Sequence, residues 1–192
     1  MIYWDLSEGC KIIAEKLVKK KPSDEIWFLQ NCGFWVTQSH NFGIDIWQFN
    51  HHSKDLITLR NTIRAHTKVI TGCIELKGSL SIATSSHDGT IRIWDLEYNK
   101  LISELRGVDQ THGIRSIIYT KDYSGVLLST GFHNVIHVWS PDSSLSKSFV
   151  GMLEGHNSII RACEFAEDCP NCISIDESYC IRVWDIRTLA AI

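Results

Sequence analysis

The sequence predicts an all-β fold of about four units, each of four short antiparallel strands, stacked radially as blades of an incomplete, open β-propeller. Three observations carry this expectation. Tryptophan recurs in one sequence context, at Trp4, Trp47, Trp94, Trp139 and Trp184, at intervals of 43 to 47 residues. A fixed period of that length marks a repeat architecture. Within each period the apolar residues form short runs rich in β-branched side chains, divided by turn-forming residues, as in a strand meander. A lone four-stranded unit of this size also leaves both its faces bare, and radial stacking supplies a neighbour on each side.

The elements follow in order. Residues 1–17 form a partial unit in which IYWDL (2–6) reads as a third strand. The following CKIIAEKLVKK (10–20) has apolar spacing that also suits a short helix, but it falls where a fourth strand belongs and is read as strand. The unit at 18–60 contains EIWFLQ (25–30), GFWVTQS (33–39), IDIWQF (44–49) and DLITLR (55–60). The unit at 61–105 places VITGCIEL (69–76), SLSIATSS (79–86), TIRIWDL (90–96) and LISEL (101–105) around turns at Lys77-Gly78, Asp88-Gly89 and Tyr98-Asn99-Lys100. The unit at 106–153 has IRSIIYT (114–120), GVLLSTG (125–131), VIHVWS (135–140) and a fourth strand within 145–153. The unit at 154–192 has IIRACEF (159–165), NCISID (171–176) and CIRVWD (180–185), and LAAI (189–192) begins a fourth strand. The chain thus reads as a single repeat domain of about 4.3 periods, with both ends inside a unit.

Composition narrows the function classes. The chain has 192 residues, 44% of them hydrophobic, with 19 Lys+Arg against 22 Asp+Glu and a net charge of −3. That balance lacks the basic surplus of a dedicated nucleic-acid binder and of a polybasic membrane-surface protein. No run approaches the ~18 apolar residues of a membrane helix, and MIYWDLSEGCKII lacks the apolar core of a signal peptide. Seven cysteines, odd in number and scattered, read as free thiols in a reducing compartment, hence a cytoplasmic protein.

With the periods aligned, Trp-Asp closes the third strand at Trp4-Asp5, Trp94-Asp95 and Trp184-Asp185. Gly155-His156 precedes the first strand of the last unit, and Ala65-His66 and Thr111-His112 hold the equivalent places. The repeat resembles that of the WD40 (G-protein β-like) family over essentially the whole chain. The resemblance implies a buried network of His, Ser or Thr, Asp and Trp in each blade. His66, Ser86, Asp88 and Trp94 fill all four positions in the 61–105 unit. The last unit has His156 and Trp184, with Asp176 and Ser178 exchanging the acid and hydroxyl positions. The third has His112 and Trp139, with His133 at the acid position and Thr130 one residue out of place. The 18–60 unit has Ser39, Asn41 and Trp47 but no histidine. One firm network, one rearranged network and two weak ones are expected. A buried indole N–H needs an acceptor, which a hydroxyl supplies, and the hydroxyl in turn donates to imidazole.

Ser86, His66 and Asp88 also spell a hydrolase triad. Ser86 ends an apolar strand, however, and no strained strand-to-helix turn surrounds it, so the structural reading is preferred. Cys169-Pro170-Asn171-Cys172 has the spacing of a thiol-redox motif but lies between strands, outside the context that motif requires. It also lacks a second Cys/His pair at zinc spacing. No cofactor and no metal are expected. His40, His87 and His133, in turns between second and third strands, and Lys19, Lys20 and Lys21 are the candidate binding face. The wider surface comprises the loops at 18–24, 40–43, 61–67, 87–89, 106–113, 132–134 and 154–158. The resemblance implies a non-catalytic scaffold that binds peptides or protein domains through propeller-face loops, with no nucleic-acid or membrane partner, within a larger multi-protein complex. HVWSPDSSL (137–145), ISIDES (173–178) and IRVWDIRT (181–188) resemble WD-repeat proteins of ciliated protists, some of them axonemal. That likeness implies a cilium or the cytoskeleton as an alternative location.

Overall fold

A computed structural model describes residues 2–5, 11–15, 25–50, 56–77, 80–106, 113–120, 125–141, 148–166 and 169–192. Among these residues the protein is all-β, with one 3-10 turn at His40–Phe42 and no helix long and apolar enough to cross a membrane. The chain divides into two compact units, Met1–Ala65 and His66–Ile192.

The first unit contains a two-stranded sheet, β1 (Ile2–Asp5) and β2 (Lys11–Glu15), and a four-stranded antiparallel sheet. The latter runs β3 (Ile26–Leu29), β4 (Phe34–Gln38), β5 (Ile44–Phe49) and β6 (Ile57–Ile63). The stretch with helical apolar spacing is therefore strand at residues 11–15, where pairing with β1 satisfies its backbone.

The second unit holds three four-stranded sheets, each an antiparallel meander in chain order. The first comprises β7 (Ile70–Glu75), β8 (Ser81–Ser86), β9 (Thr90–Asp95) and β10 (Lys100–Arg106). The next comprises β11 (Ile114–Thr120), β12 (Val126–Gly131), β13 (Val135–Trp139) and β14 (Phe149–Glu154). The last comprises β15 (Ile160–Phe165), β16 (Asn171–Asp176), β17 (Ile181–Asp185) and the short β18 (Ala190–Ala191).

Register repeats along with composition. Trp47, Trp94, Trp139 and Trp184 each lie opposite the residue twelve positions earlier: Trp35, Ile82, Leu127 and Cys172. Beside the tryptophan the fourth strand carries one extra residue, Ile13, Arg60, Ile102 or Val150, so the register shifts there. A second extra residue recurs in the first strands of the second unit, at Thr71, Arg115 and Arg161. Such bulges sharpen the twist of the strand that bears them.

The alternation of side chains places each sheet's two faces in two cores. Ala83, Ile91 and Ile93 pack against Ile114, Ile117, Leu127 and Trp139. On the opposite face of the same middle sheet, Leu128, Ile136 and Val138 pack against Ile160, Cys163, Cys172 and Trp184. Being buried on both faces, β12 and β13 carry apolar residues at consecutive positions, Val126–Leu128 in β12 and Val135–Ile136 and Val138–Trp139 in β13. The sheets approach closely: a Cβ on Gly72 would lie 3.1 Å from Ile117 Cγ1 and 3.0 Å from Ser85 Oγ.

Candidate functional site

The polar groups of the second unit converge behind these cores. In the β7–β10 sheet, Trp94 Nε1–H donates to Thr84 Oγ1 at 2.9 Å. Thr84 Oγ1 lies 2.9 Å from His66 Nε2, and His66 Nδ1 lies 2.9 Å from Asp88 Oδ2. An ionised carboxylate only accepts, so Nδ1 carries the imidazole proton and Nε2 receives the Thr84 hydroxyl. Thr90 Oγ1–H donates to Asp88 Oδ1 at 2.6 Å, and the backbone N–H groups of Thr67 and Thr90 also reach the carboxylate. Burial pushes the Asp88 pKa up. The hydrogen bonds from His66, Thr90 and the Thr67 backbone outweigh it and hold the carboxyl well below its ordinary range.

The β15–β18 sheet builds the same chain from a different register. Trp184 Nε1–H donates to Ser174 Oγ at 2.7 Å, Ser174 Oγ lies 2.7 Å from His156 Nε2, and His156 Nδ1 lies 2.8 Å from Asp176 Oδ2. The side chains of His156 and Asp176 are 0% and 1% exposed. Burial again pushes the carboxyl pKa up. The backbone N–H of Cys180, His156 and the backbone N–H of Ser178 bring it below the ordinary value.

Two sequence assignments are corrected by this geometry. The hydroxyl that joins indole to imidazole is Thr84, not Ser86, and Ser174, not Ser178. The tryptophan faces the residue twelve positions back, and the indole N–H reaches diagonally to the hydroxyl ten positions back, on the same strand face. Ser86 lies two residues farther along that face, at the turn, where its Oγ donates to the Lys68 carbonyl at 3.1 Å and accepts the Asp88 N–H. Ser178 sits in an exposed turn and gives its backbone N–H to Asp176. The ten-residue offset also holds for Trp47 with Thr37 and for Trp139 with Ser129, both at 2.9 Å. Sequence reasoning missed Thr37, Thr84, Ser129 and Ser174, although a hydroxyl at one constant distance before each tryptophan was the signal that finds them.

The weak units keep only part of the chain. His112 lies outside the described residues. His133, at the acid position, accepts the Val135 N–H on Nδ1 at 3.3 Å, the bond that Asp88 makes to Thr90 N–H, and its ring meets His137 edge-on at 5.1 Å. Thr130 Oγ1 is buried without a hydrogen-bond partner. In the first unit Ser39 and Asn41 flank and enter the 3-10 turn, where Asn41 takes a left-handed conformation.

The structure does not assemble the catalytic alternatives. Both ring nitrogens of His66 are engaged by Asp88, Thr90 and Thr84, and fully buried Ser86 is directed to Lys68. Cys172 is fully buried and packs in one core cluster with Cys163 of the neighbouring strand. The nearby Cys172 thiol, together with burial, pushes the Cys163 thiol pKa far above normal. Cys169, half-buried in the turn, is a free thiol, as is Cys172.

Of the candidate binding face, Lys19, Lys20 and Lys21 lie outside the described residues. His40 is exposed in the first unit. In the second unit His87 meets exposed Phe132 edge-on at 5.3 Å, and Tyr179 is 73% exposed on the corresponding turn of the last sheet. The structure thus puts Phe132 beside His87, a pairing that sequence reading did not single out.

The repeat described as "WD domain, G-beta repeat" matches residues 57–95 and 147–185. The chain is 29% identical over 133 residues to Nuclear distribution protein nudF of Aspergillus flavus, covering 68% of this chain and 28% of that protein. It is 29% identical over 107 residues to human WD repeat and SOCS box-containing protein 1, covering 56% of this chain and 24% of that protein. The chain therefore spans less than a third of the length of these curated relatives. Strand order, the tryptophan register and the indole–hydroxyl bonds agree with these matches, which make the chain similar to WD40-repeat proteins.

Proposed function

We propose that the protein is a non-catalytic interaction scaffold that holds peptides or protein domains through the loops between its second and third strands. One observation carries this reading: the histidine, carboxylate and hydroxyl groups are consumed in buried chains that brace the sheets, leaving exposed turn residues for recognition. A satisfied buried network rigidifies its surroundings, and rigid scaffolds present binding loops well. Among those turns, His87, Phe132 and Tyr179 supply ring surface with polar edges, a composition suited to protein partners. The family and the names of its relatives, nuclear distribution protein nudF and WD repeat and SOCS box-containing protein 1, support protein partners. Scattered free thiols support a cytoplasmic setting. The network residues His66, Asp88, Trp94, His156, Asp176 and Trp184 are assigned a bracing role, and the repeat boundaries above are assigned as blades of one repeat domain.

A photo-crosslinking amino acid at Phe132 is expected to capture protein from the native cell extract, and one at Leu101 on the outer strand is not. Equal capture at both positions, or covalent labelling of Ser86 by a serine-hydrolase probe, would overturn the proposal. The axonemal alternative rests on the resemblance at 137–145, 173–178 and 181–188. It predicts co-sedimentation with microtubules, and clean partition into the soluble fraction counts against it.

A further inference from the structure

The two complete networks differ four residues before the tryptophan. In the β7–β10 sheet that position is Thr90, whose Oγ1 is 2.6 Å from Asp88 Oδ1 and 3.2 Å from His66 Nδ1. In the β15–β18 sheet it is Cys180. The imidazole of His156, the carboxylate of Asp176 and the thiol of Cys180 offer ligand atoms that all lie within 4.8 Å of one another. His156 and Asp176 are buried, and Cys180 is exposed.

We propose that His156 Nδ1, Asp176 Oδ2 and Cys180 Sγ form a zinc-binding site with its fourth position open to solvent. Nitrogen, carboxylate oxygen and thiolate are the donors zinc takes, and three protein ligands plus one exchangeable position is the pattern of its open sites. Bonds of about 2.0 Å to nitrogen or oxygen and about 2.3 Å to sulfur place tetrahedral ligand atoms roughly 3.3 to 3.6 Å apart. The His156–Asp176 contact of 2.8 Å opens slightly to reach that spacing. The thiol swings inward by rotation about its own side-chain bond, which its exposure permits.

The surroundings already suit a bound ion. Asp176 Oδ1 accepts the backbone N–H groups of Ser178 and Cys180, each at 2.9 Å, which anchors one carboxylate oxygen and leaves the other toward the imidazole. The N–H of Cys180 thereby ties two of the ligands together. The turn between them carries Tyr179 at φ 62, in the left-handed region. On binding, the thiol releases its proton to solvent, and the imidazole proton moves from Nδ1 to Nε2. The Ser174 hydroxyl, which donates to Nε2 at 2.7 Å in the metal-free chain, turns its own proton away and accepts this N–H on one lone pair and the Trp184 indole on the other. A hydrogen bond on the far ring nitrogen is how a metal-bound histidine is oriented. Carboxylate and thiolate together neutralise the ion's charge, which lowers the cost of placing it beside buried groups. Thr90 offers no thiolate, so the sister sheet lacks the donor set. Sequence spacing alone gives no hint of the site, because its ligands come from a loop, a strand end and a turn.

The test is titration of the full chain with Co²⁺, which reports thiolate ligation by an intense sulfur-to-metal absorption band. Wild type is expected to show the band at one equivalent, to lose it on adding Zn²⁺, and to melt higher with Zn²⁺ present. C180T copies the residue of the sister sheet. It is expected to keep the wild-type melting profile without metal, to show no band, and to bind Zn²⁺ at least tenfold more weakly. C180S serves in the same way if threonine disturbs the fold, and C169S is expected to keep the band. Absence of the band in wild type, its survival in C180T or C180S, or its loss in C169S would overturn the proposal.

Discussion

Replacement of Thr84 by valine tests the central feature of the buried chain. Valine has nearly the shape of threonine, so the change removes one hydroxyl and little else. That hydroxyl accepts the Trp94 indole N–H and faces His66 Nε2, each at 2.9 Å, and Trp94 and His66 are only 5% and 6% exposed. Each partner left without a bond costs about 1–3 kcal/mol, so T84V is expected to destabilise the unit by roughly 2–5 kcal/mol. S86A removes a hydroxyl whose bonds to the Lys68 carbonyl and the Asp88 N–H are only part-buried, at the edge of the turn where water can replace them, and about 1 kcal/mol is expected. The assay is urea denaturation followed by circular dichroism, with slopes compared to establish that the unfolding transition is unchanged. T84V combined with W94F closes a double-mutant cycle. Once the indole N–H is gone, losing the hydroxyl costs less, so the pair should fall short of additivity by about 1–2 kcal/mol. A T84V cost no larger than that of S86A, or strict additivity with W94F, would refute the assignment of Thr84 as the junction.

Acid should expose the two buried carboxylates. Asp88 and Asp176 both titrate below the ordinary value of 3.8 in the folded chain. Their contribution to stability is therefore complete above the unfolded-state value, begins to drain as the pH falls through it, and is lost once the pH passes below the folded-state values. Urea midpoints measured from neutrality downward should drop below about pH 4, with a shallower drop in D88N and in D176N; an unchanged slope in both variants would contradict the shifts. Thiol labelling read by mass spectrometry should modify exposed Cys180 in the native protein. Cys163 and Cys172 should react only on unfolding, since both are buried and Cys163 also resists ionisation. Native labelling of Cys172 as fast as Cys180 would contradict the packing.

Much of the architecture was legible because it is local. A period-two pattern of Val, Ile and Thr, cut by Asp88-Gly89 and Tyr98-Asn99, allows few backbone paths, and each repetition of the tryptophan confirmed the next. The stretch at 10–20 shows the limit: its apolar spacing fits helix and strand alike, and only pairing of Lys11–Glu15 with Ile2–Asp5 separates them. The network was half legible. His66, Asp88 and Trp94 each have one eligible residue in their register, but SIATSS offers a hydroxyl at four of its six positions.

The sequence by itself determined that this is a repeat of antiparallel strands whose tryptophans recur at one period, because alternation and turn chemistry act within a few residues. The tertiary structure decided which of several hydroxyls meets each indole, because the bond crosses strands on a diagonal, and only the pairing gives the constant ten-residue offset its meaning. It also decided that Asp176 reaches the same imidazole position from two residues earlier in register than Asp88, and that a thiol stands beside that pair. The contacts of Asp176 and Cys180 depend on how their turn folds back on its strand, and no spacing along the chain encodes that distance.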